Sequence, residues 1–253
     1  MRPLETLPAV GLAELEERAA LLTRVDRKYL VPLDEAGWLV DTLAPDAAVL
    51  EIDERRRFAY ESLYFDTAGL SSYLRTAYRH RRRFKTRIRT YADSGESWLE
   101  VKVPGPRGST VKYRVPHEPE QSGVGAGRDF VDGVFSRHGI AVSSAELRPV
   151  LRSAYRRFTL VIPGDSRVTV DTRLRWTAAG RELRLSHLAV VESKTGSAAS
   201  AADRHLWRRG YRPVAISKYA TGLAALRSDL PAAPWRRVLR QHFACAAKER
   251  TND

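Results

Sequence analysis

The chain has 253 residues, of which 43% are hydrophobic and 29% charged, and its formal net charge is +13. This length allows a substantial core, and the excess of cations favours an anionic partner: nucleic acid, an anionic membrane surface or phosphorylated compounds. The single cysteine, Cys245, excludes an intrachain disulfide and Cys-rich zinc sites, which is compatible with a reducing cytoplasm. Residues 1–20 lack the pattern of a secretory signal, and no stretch approaches the roughly 18 apolar residues of a membrane span. We therefore expect a cytoplasmic protein that reaches a membrane only through a partner.

Apolar periodicity and turn residues predict three helices and five strands in the first half of the chain. The predicted helices are Leu4–Leu22, Asp34–Leu43 and Leu70–Tyr78. The predicted strands are Arg24–Val31, Phe58–Asp66, Arg79–Ala92, Ser97–Val103 and Thr110–Pro116. Tight turns join the last three strands, which indicates antiparallel pairing.

The second half continues with the same two kinds of element. The predicted strands are Arg148–Ile162, Arg167–Trp176 and Leu188–Lys194; the predicted helices are Arg128–His138, Ala201–Arg209 and Lys218–Leu226, followed by an amphipathic tail over Trp235–Lys248. About eight strands with mainly short connections predict an α+β fold, with an antiparallel sheet and helices outside it. No flexible linker is evident, so the sequence predicts a single domain over residues 1–253, with a core over about 23–226.

A row of cations lies within the third predicted strand. Lys85, Arg87 and Arg89 occupy every second position, so a strand would place all three on one face. Arg81 and Arg83 have the same parity and would extend the row. Like charges on one face of a sheet are unfavourable, and an anion would offset their repulsion.

Other predicted strands also alternate charged and apolar residues. The charged positions are Glu100 and Lys102, Lys112 and Arg114, and Glu192 and Lys194. If such strands close into a barrel, the interior is polar and mostly cationic, and the apolar outer faces are covered by helices. The sequence therefore predicts an antiparallel β-barrel that forms a basic-lined tunnel.

Two acidic residues lie among these bases. Glu100 and Glu192 could each form a structural salt bridge with a base on a neighbouring strand, or could supply an oxygen ligand to Mg²⁺ or Mn²⁺. A divalent ion beside several cations is the usual requirement of phosphoryl transfer.

The segment Ser217-Lys218-Tyr219 follows the apolar residues 214–216. It could open a helix as a phosphate clamp, or could be an ordinary helix start. The segment from Gly105 to Gly108 lacks the pattern of a phosphate-binding P-loop, and the six histidines have no metal-ligand spacing.

Several segments, in order over about residues 23–226, carry a family resemblance. They are Arg27-Lys28-Tyr29, Ser62-Leu63-Tyr64-Phe65-Asp66, Lys85-Thr86-Arg87-Ile88-Arg89, Glu100-Val101-Lys102, Arg152-Ser153-Ala154-Tyr155-Arg156-Arg157, Pro163-Gly164-Asp165-Ser166-Arg167, Val170-Asp171-Thr172, Glu192-Ser193-Lys194 and Ser217-Lys218-Tyr219. Together they resemble the catalytic domain of the VTC polyphosphate polymerases, within the triphosphate tunnel metalloenzyme (CYTH-like) superfamily.

The resemblance implies a basic β tunnel in which the γ-phosphate of ATP is transferred to a growing inorganic polyphosphate chain with Mn²⁺ or Mg²⁺. ATP and polyphosphate are then the expected partners. With the charge pattern, it gives the following candidate site residues. The candidate catalytic residues are Lys28, Arg87, Arg89, Lys102 and Lys218; the phosphate-binding residues are Lys85, Lys112, Arg114, Arg152, Arg157, Arg167, Arg173 and Ser217; the metal ligands are Glu192 and Glu100.

Departures from the family pattern bear on which activity is expected. The simpler tunnel triphosphatases have Glu-x-Glu-x-Lys near the N-terminus, where this chain has Arg24-Val25-Asp26-Arg27-Lys28, which favours the polymerase branch. The transmembrane segments and the phosphate-sensing domain of larger eukaryotic relatives are not found in the sequence, which leaves the acceptor and any membrane coupling open.

Two alternatives to the polymerase stay open at this stage. The first is a tunnel triphosphatase that hydrolyses ATP or tripolyphosphate. The second, of another class, is a non-catalytic binder of nucleic acid or another polyanion. No specific nucleic acid is expected, because the basic residues alternate along strands and are not accompanied by aromatic residues on which nucleobases could stack.

Overall fold

The structure, a computed structural model, describes residues 4–20, 25–106, 109–118, 123–164, 166–196 and 198–243, without the side chains of residues 16 and 18–20. The described residues form two compact units, each assembled from segments that are separated in sequence. The first unit takes its residues from Met1–Phe58, Tyr155–Leu174 and Leu185–Ala215, and the second from Ala59–Ala154, Arg175–Arg184 and Ile216–Asp253. The single domain predicted from the sequence thus has two discontinuous units, and the domain count itself stays a prediction.

Runs of consecutive strands and separate helices along the described chain are typical of an α+β fold. The strands are β1 (Ala9–Val10), β2 (Val25–Pro32), β3 (Ala48–Leu50), β4 (Phe58–Asp66), β5 (Lys85–Tyr91), β6 (Ser97–Pro104), β7 (Thr110–Pro116), β8 (Arg148–Ile162), β9 (Ser166–Ala178), β10 (Arg181–Leu185) and β11 (Leu188–Thr195). The helices are α1 (Leu12–Ala20), α2 (Leu33–Leu43), α3 (Ser71–Ala77), α4 (Arg128–Arg137), α5 (Ala201–Arg208), α6 (Ala220–Leu226) and α7 (Arg236–Val238).

The pairs β2–β11, β11–β9, β3–β8, β4–β5, β5–β6 and β6–β7 are antiparallel, and the short pair β1–β3 is parallel. In the first unit the order is β2-β11-β9-β8, and β3 joins β8; in the second it is β8-β4-β5-β6-β7, and β10 joins β9. The long strands β8 and β9 contribute residues to both units. Among the described residues the pairing path is open, with β2 and β7 as its ends, so the large antiparallel sheet is confirmed, whereas closure into a barrel is not part of the observed pairing.

Each unit has its own apolar core. In the first, Leu39 and Val40 of α2 and Leu206 of α5 pack on the apolar face of β2, β9 and β11, which carries Val31, Val170 and Val191. In the second, Val131, Val134 and Phe135 of α4 pack on Ile88, Leu99 and Val101 of β5 and β6. Because side chains alternate along a strand, the helices that cover these faces leave the charged residues on the opposite faces.

The predicted helix Leu4–Leu22 is wrong in its first part. Residues Leu4–Thr6 form a single 3₁₀ turn, β1 follows, and α1 begins only at Leu12; residues 21 and 22 lie outside the described residues. Pro8 explains the break, because proline fixes φ and has no N–H for a helix interior. Its carbonyl instead accepts a hydrogen bond from Val49 N at 2.8 Å, which continues the pairing of β1 with β3.

The predicted strand Arg79–Ala92 is too long at its N-terminal end. Arg79 has a φ of 56°, which is left-handed, and residues 78–84 form a loop, so β5 begins at Lys85. Arg81 and Arg83 are consequently not part of the cationic row of the strand, which is a correction to the sequence prediction.

The C-terminal prediction is confirmed only in part. The described residues of the tail form short helical turns from Ala233 to Phe243, and the remainder of the predicted tail, together with Cys245, lies outside the described residues. Arg24, the first residue of a predicted strand, and Asp165, which belongs to one of the motifs of the family resemblance, also lie outside them.

Candidate anion-binding site

The charged face of the second unit is built by the register of β5, β6 and β7. Lys85 lies opposite Lys102, and Lys102 lies opposite Lys112. Residues directly opposite in an antiparallel pair point to the same face, with Cβ atoms about 4.5–5.5 Å apart. The register therefore places three lysines in one row across three strands, an arrangement that is unfavourable until a negative charge neutralises it.

The neighbouring row contains the only carboxylate of this face among the described residues of the three strands. Arg87 lies opposite Glu100, and Glu100 lies opposite Arg114. Arg87 Nε donates to Glu100 Oε2 at 2.7 Å, its Nη2 contacts the same oxygen, and Lys112 Nζ lies 3.7 Å from Oε1. Both oxygens of Glu100 thus face cations, which is the salt-bridge alternative left open by the sequence.

The pKa values on this face show that cations outnumber the available acid. The charge of Arg87, then burial, lower the pKa of Lys102 well below its ordinary value. Burial raises the pKa of Glu100, but Arg87, Arg89 and Lys102 outweigh that effect and lower it to about 2. The single carboxylate stays ionised, and a bound anion would oppose the charges that lower the pKa of Lys102.

Tyr64 was not among the site residues predicted from the sequence. It lies opposite Arg87 on β4, is buried, and accepts a hydrogen bond from Arg87 Nη1 at 3.4 Å. Burial raises its pKa, but Arg87, Lys85 and Arg89 together lower it to about 8. The phenol is therefore held in a field positive enough to favour its ionised form.

The segment Ser217-Lys218-Tyr219 precedes α6 instead of forming its first turn. Lys85 Nζ donates to Ser217 Oγ at 3.1 Å, and Ala220 N also donates to this oxygen at 3.3 Å. Trp176 Nε1 donates to the carbonyl of Lys218 at 2.7 Å. Ser217 thereby supports the start of α6 and contacts the cationic row, and its role in holding phosphate stays a prediction.

Asp66 anchors that segment, and the sequence analysis quoted it in a motif without giving it a role. It is fully buried and accepts hydrogen bonds from Ser72 N, Tyr73 N and the Tyr219 hydroxyl. Tyr219 in turn stacks on Tyr64, with ring centroids 5.2 Å apart. Its burial and its partners are properties of the tertiary structure, so the sequence carried no separate signal for this role.

The charged face of the first unit follows from the register of β2, β11 and β9. Lys28 lies opposite Glu192, and Glu192 lies opposite Thr169. In the adjacent row Lys194 lies between Asp26 and Arg167. Glu192 Oε1 is 3.3 Å from Lys28 Nζ and 3.8 Å from Lys194 Nζ, so the predicted metal ligand is flanked by two lysines.

A second acid–base pair of this unit is tightly formed. Arg157 Nε donates to Asp171 Oδ1 at 2.6 Å, and Nη2 donates to Oδ2 at 2.9 Å. Burial opposes the charge of Arg157, but Asp171 raises its pKa well above the ordinary value. Asp171 is fully buried, and its two hydrogen bonds orient the guanidinium. The carboxylate of Glu192, in contrast, is partly accessible.

Other predicted phosphate-binding residues lie at more exposed positions. Arg152 is exposed and pairs with Glu61 at 3.0 Å, and Arg114 lies 4.5 Å above the ring of Trp98. Arg173 is exposed and has a φ of 52°, which interrupts the alternation of β9. The structure therefore does not place Arg173 in a charged row, and its role stays a prediction.

Metal binding by side chains alone has no support in the described part of the chain. In that part of the chain, no group of three or more His, Cys, Asp or Glu side chains is arranged so that it could hold a metal ion. The partly accessible carboxylate of Glu192 fits a different kind of site, in which phosphate oxygens and water complete the shell of Mg²⁺ or Mn²⁺.

The family model for the VTC domain matches residues 23–227, which is most of the chain and includes both charged faces. The chain belongs to the VTC domain family. No curated protein matches this VTC domain chain. Among the described residues, no helix has both the length and the apolar character needed to cross a membrane.

Solved structures resemble this VTC domain in fold. A proposed adenylyl cyclase from Hippeastrum, HpAC1, described as having a dominant triphosphatase activity, has a TM-score of 0.51 and 16% identity over 83% of this chain and 98% of its own. PH1819 from Pyrococcus horikoshii OT3 has a TM-score of 0.46 and 14% identity over 81% and 98% of the two chains. A proposed adenylate cyclase from Vibrio parahaemolyticus has a TM-score of 0.41 and 12% identity over 74% and 84%. At these identities the likeness to HpAC1 concerns the fold alone.

Proposed function

We propose that this VTC domain is a metal-dependent polyphosphate polymerase that transfers the γ-phosphate of ATP to the end of an inorganic polyphosphate chain. The observation that carries the proposal is the row Lys85–Lys102–Lys112, whose mutual repulsion a linear phosphate would neutralise. We also propose that the strands close into the basic tunnel of the triphosphate tunnel superfamily. The support for this closure is membership of the VTC domain family.

In the proposed reaction, an oxygen of the chain's terminal phosphate forms a bond to the γ-phosphorus as the bond from that phosphorus to the bridging oxygen breaks, and ADP leaves. Catalysis of this kind depends mainly on positioning and on stabilising negative charge. Arg87 would contact phosphate oxygens from a fixed position, because Glu100 holds its guanidinium. Lys102 would place a further positive charge beside these oxygens, and the bound anion would raise its lowered pKa.

The Ser217–Lys218 segment would hold a further phosphate. Ser217 Oγ already accepts from Lys85 Nζ, and its hydroxyl proton can be directed to a phosphate oxygen. Asp66 and Trp176 fix this segment through the Tyr219 hydroxyl and the Lys218 carbonyl, respectively.

In the first unit, Lys28, Arg157 and Arg167 would bind phosphate oxygens. Glu192 would hold the Mn²⁺ or Mg²⁺ ion together with these oxygens. A bound divalent ion would neutralise charge that develops on the transferred group. Asp171 would keep the Arg157 guanidinium oriented, since both carboxylate oxygens accept from it.

The test is incubation of the purified protein with ATP and Mn²⁺ or Mg²⁺, with the products separated on a gel. We expect a ladder of polyphosphate and stoichiometric ADP. Lys102→Met should lower synthesis strongly, and Lys102→Arg should retain more of it because the charge is kept. A protein that forms no polymer under any of these conditions contradicts the proposal.

The second candidate is a tunnel triphosphatase, for which the fold likeness to HpAC1 is the specific observation. The two activities differ in the acceptor, because water replaces the phosphate chain. The same gel separates them: release of free phosphate from ATP or tripolyphosphate, without polymer, favours hydrolysis.

A further inference from the structure

A strongly basic loop joins α3 to β5 in the second unit, and the proposed reaction does not use it. This arginine loop, residues 78–84, contains Arg79, Arg81, Arg82 and Arg83. The first three are exposed, and Arg83 is half-buried. The sequence has no Asp or Glu from Thr67 to Ala92, so no acid lies close to this loop along the chain.

The arginine loop has a defined conformation. His80 N donates to the carbonyl of Arg75 at 2.8 Å, Arg75 Nη1 donates to the carbonyl of Arg82, and Arg83 Nη1 donates to the carbonyl of His80, the last two at 3.2 Å. Arg79 adopts a left-handed φ that is uncommon for a residue with a side chain. These bonds hold the backbone, but carbonyl groups do not neutralise guanidinium charges.

The base of the loop is anchored in the core of the second unit. Phe84 is buried, its ring lies 4.7 Å from that of Phe135, and its carbonyl accepts from Ser72 Oγ. A Cβ at Gly139, which has a φ of 60°, would lie 3.5 Å from the guanidinium carbon of Arg82. The loop thus presents its cations from a fixed support, which limits the entropy lost when a ligand binds.

We propose that the arginine loop is a docking site for the inorganic polyphosphate chain, beyond the phosphates held on the face of β5. This inference rests on the proposed function. The loop runs directly into Lys85, so along the chain it adjoins the strand that carries the row of cations. Arginine suits this role, because its planar group binds phosphate oxygens with two donors.

A single-stranded nucleic acid is the competing ligand for an exposed basic loop. Such ligands are bound through stacking of successive bases on aromatic rings as well as through charge. The loop offers two exposed rings, Tyr78 and His80, which already pack against each other with centroids 6.1 Å apart. Four guanidinium groups and two rings that occupy one another favour a ligand that has charge and no bases.

The experiment compares binding of long-chain polyphosphate, tripolyphosphate and a single-stranded RNA of matched phosphate number. The test variant is Arg79→Asn/Arg81→Gln, in which asparagine tolerates the left-handed position. The matched control is Arg204→Gln/Arg208→Gln, which removes two exposed arginines from α5 of the first unit.

We expect the loop variant to bind long-chain polyphosphate about 10-fold more weakly, and the slope of log affinity against log salt to fall by about two. Tripolyphosphate binding should stay unchanged, because three phosphates are held on the strand face. The control variant should bind all three ligands as the parent does.

Three results overturn the docking site: equal losses for tripolyphosphate and the long chain, an equal loss in the control variant, or an equal or larger loss of RNA binding. The last result assigns the loop to polyanions in general or to nucleic acid. Failure of the proposed function is recognised separately, because it is the absence of ATP-dependent polymer synthesis by the parent protein.

Discussion

Lys85 and Lys102 lie directly opposite each other on β5 and β6, and Lys112 of β7 extends the row. Like charges directly opposite each other on paired strands are unfavourable. The pKa of Lys102 reflects the crowding of cations, because it is lowered well below its ordinary value. The site therefore gives up stability in the absence of an anion and recovers it when one binds.

Lys102→Met should make the ligand-free protein more stable. Removing a half-buried lysine that is repelled by Arg87 and Arg89 should add about 1 kcal/mol, which corresponds to a rise of roughly 2–4 °C in Tm. Tripolyphosphate should raise the Tm of the parent more than that of the variant. Thermal unfolding with and without tripolyphosphate measures both effects, and Lys102→Arg is the charge-preserving control. A variant that is less stable than the parent and responds equally to the ligand contradicts the prediction.

Arg87→Ala should lower both stability and activity. It leaves the carboxylate of Glu100 buried without its main partner, which costs about 3–5 kcal/mol when a buried pair is broken on one side. The double variant Arg87→Met/Glu100→Met removes both charges and should recover much of the stability, but none of the activity. Urea unfolding together with ATP turnover separates the two roles. Recovery of activity in the double variant would show that Arg87 has no part in the reaction.

Glu192→Gln should abolish the stimulation of activity by Mn²⁺ or Mg²⁺. Because the change removes the negative charge between Lys28 and Lys194, metal-free tripolyphosphate should bind more tightly than to the parent. Calorimetric titration with tripolyphosphate in chelator gives the affinity, and polyphosphate synthesis from ATP with and without Mn²⁺ gives the stimulation. The control is Glu182→Gln, which removes a carboxylate that pairs with Arg184 and Arg175 in more exposed positions. Metal stimulation that survives in Glu192→Gln would exclude the residue as the metal ligand.

Tyr64 should titrate near pH 8, whereas an unperturbed tyrosine titrates near pH 10. A depressed pKa of an acid means that the folded state loses its proton first, so the ionisation adds stability as the pH rises from about 8 to about 10. Below pH 8 this contribution is absent. Tyr64→Phe should remove the tyrosinate absorbance that develops near pH 8, and should reduce the gain in stability over that interval by on the order of 2 kcal/mol.

The groups that surround Tyr64 determine the size of this effect. Arg87, Lys85 and Arg89 lower its pKa against burial, and Tyr219, which stacks on it, is itself held protonated beside Asp66. Tripolyphosphate adds negative charge to the same field, so it should return the pKa of Tyr64 towards 10. An absorbance step that ligand does not move would contradict the position of the phosphate on this face.

Much of the fold follows from local patterns. The alternation of β5, β6, β7 and β11 was predictable because each strand buries one face under helices and leaves the other charged. Boundaries were less predictable where a single residue overrides the pattern: Pro8 ends the expected first helix, and Arg79 in a left-handed conformation shortens the basic strand. The short strands β1, β3 and β10 have too few residues for a period to be recognised.

The candidate site was predictable as a set of residues, and less so as a set of contacts. Ser62-Leu63-Tyr64-Phe65-Asp66 and Val170-Asp171-Thr172 were quoted for their family resemblance, yet Tyr64, Asp66 and Asp171 gained roles only from their burial and partners. Lys194 was known to share a strand face with Glu192, but its distance from that carboxylate depends on the conformations of both side chains.

The sequence by itself determined which residues are cationic, that they share strand faces, and that the chain resembles the VTC family. These properties depend on the period of a strand and on residue identity, both of which are local. Only the tertiary structure decided that Lys85, Lys102 and Lys112 form one row, that Glu100 belongs to Arg87, and that Arg81 and Arg83 lie in a separate loop. Those facts depend on strand register and on a single backbone torsion, because a shift of one residue in pairing would turn every charge to the other face.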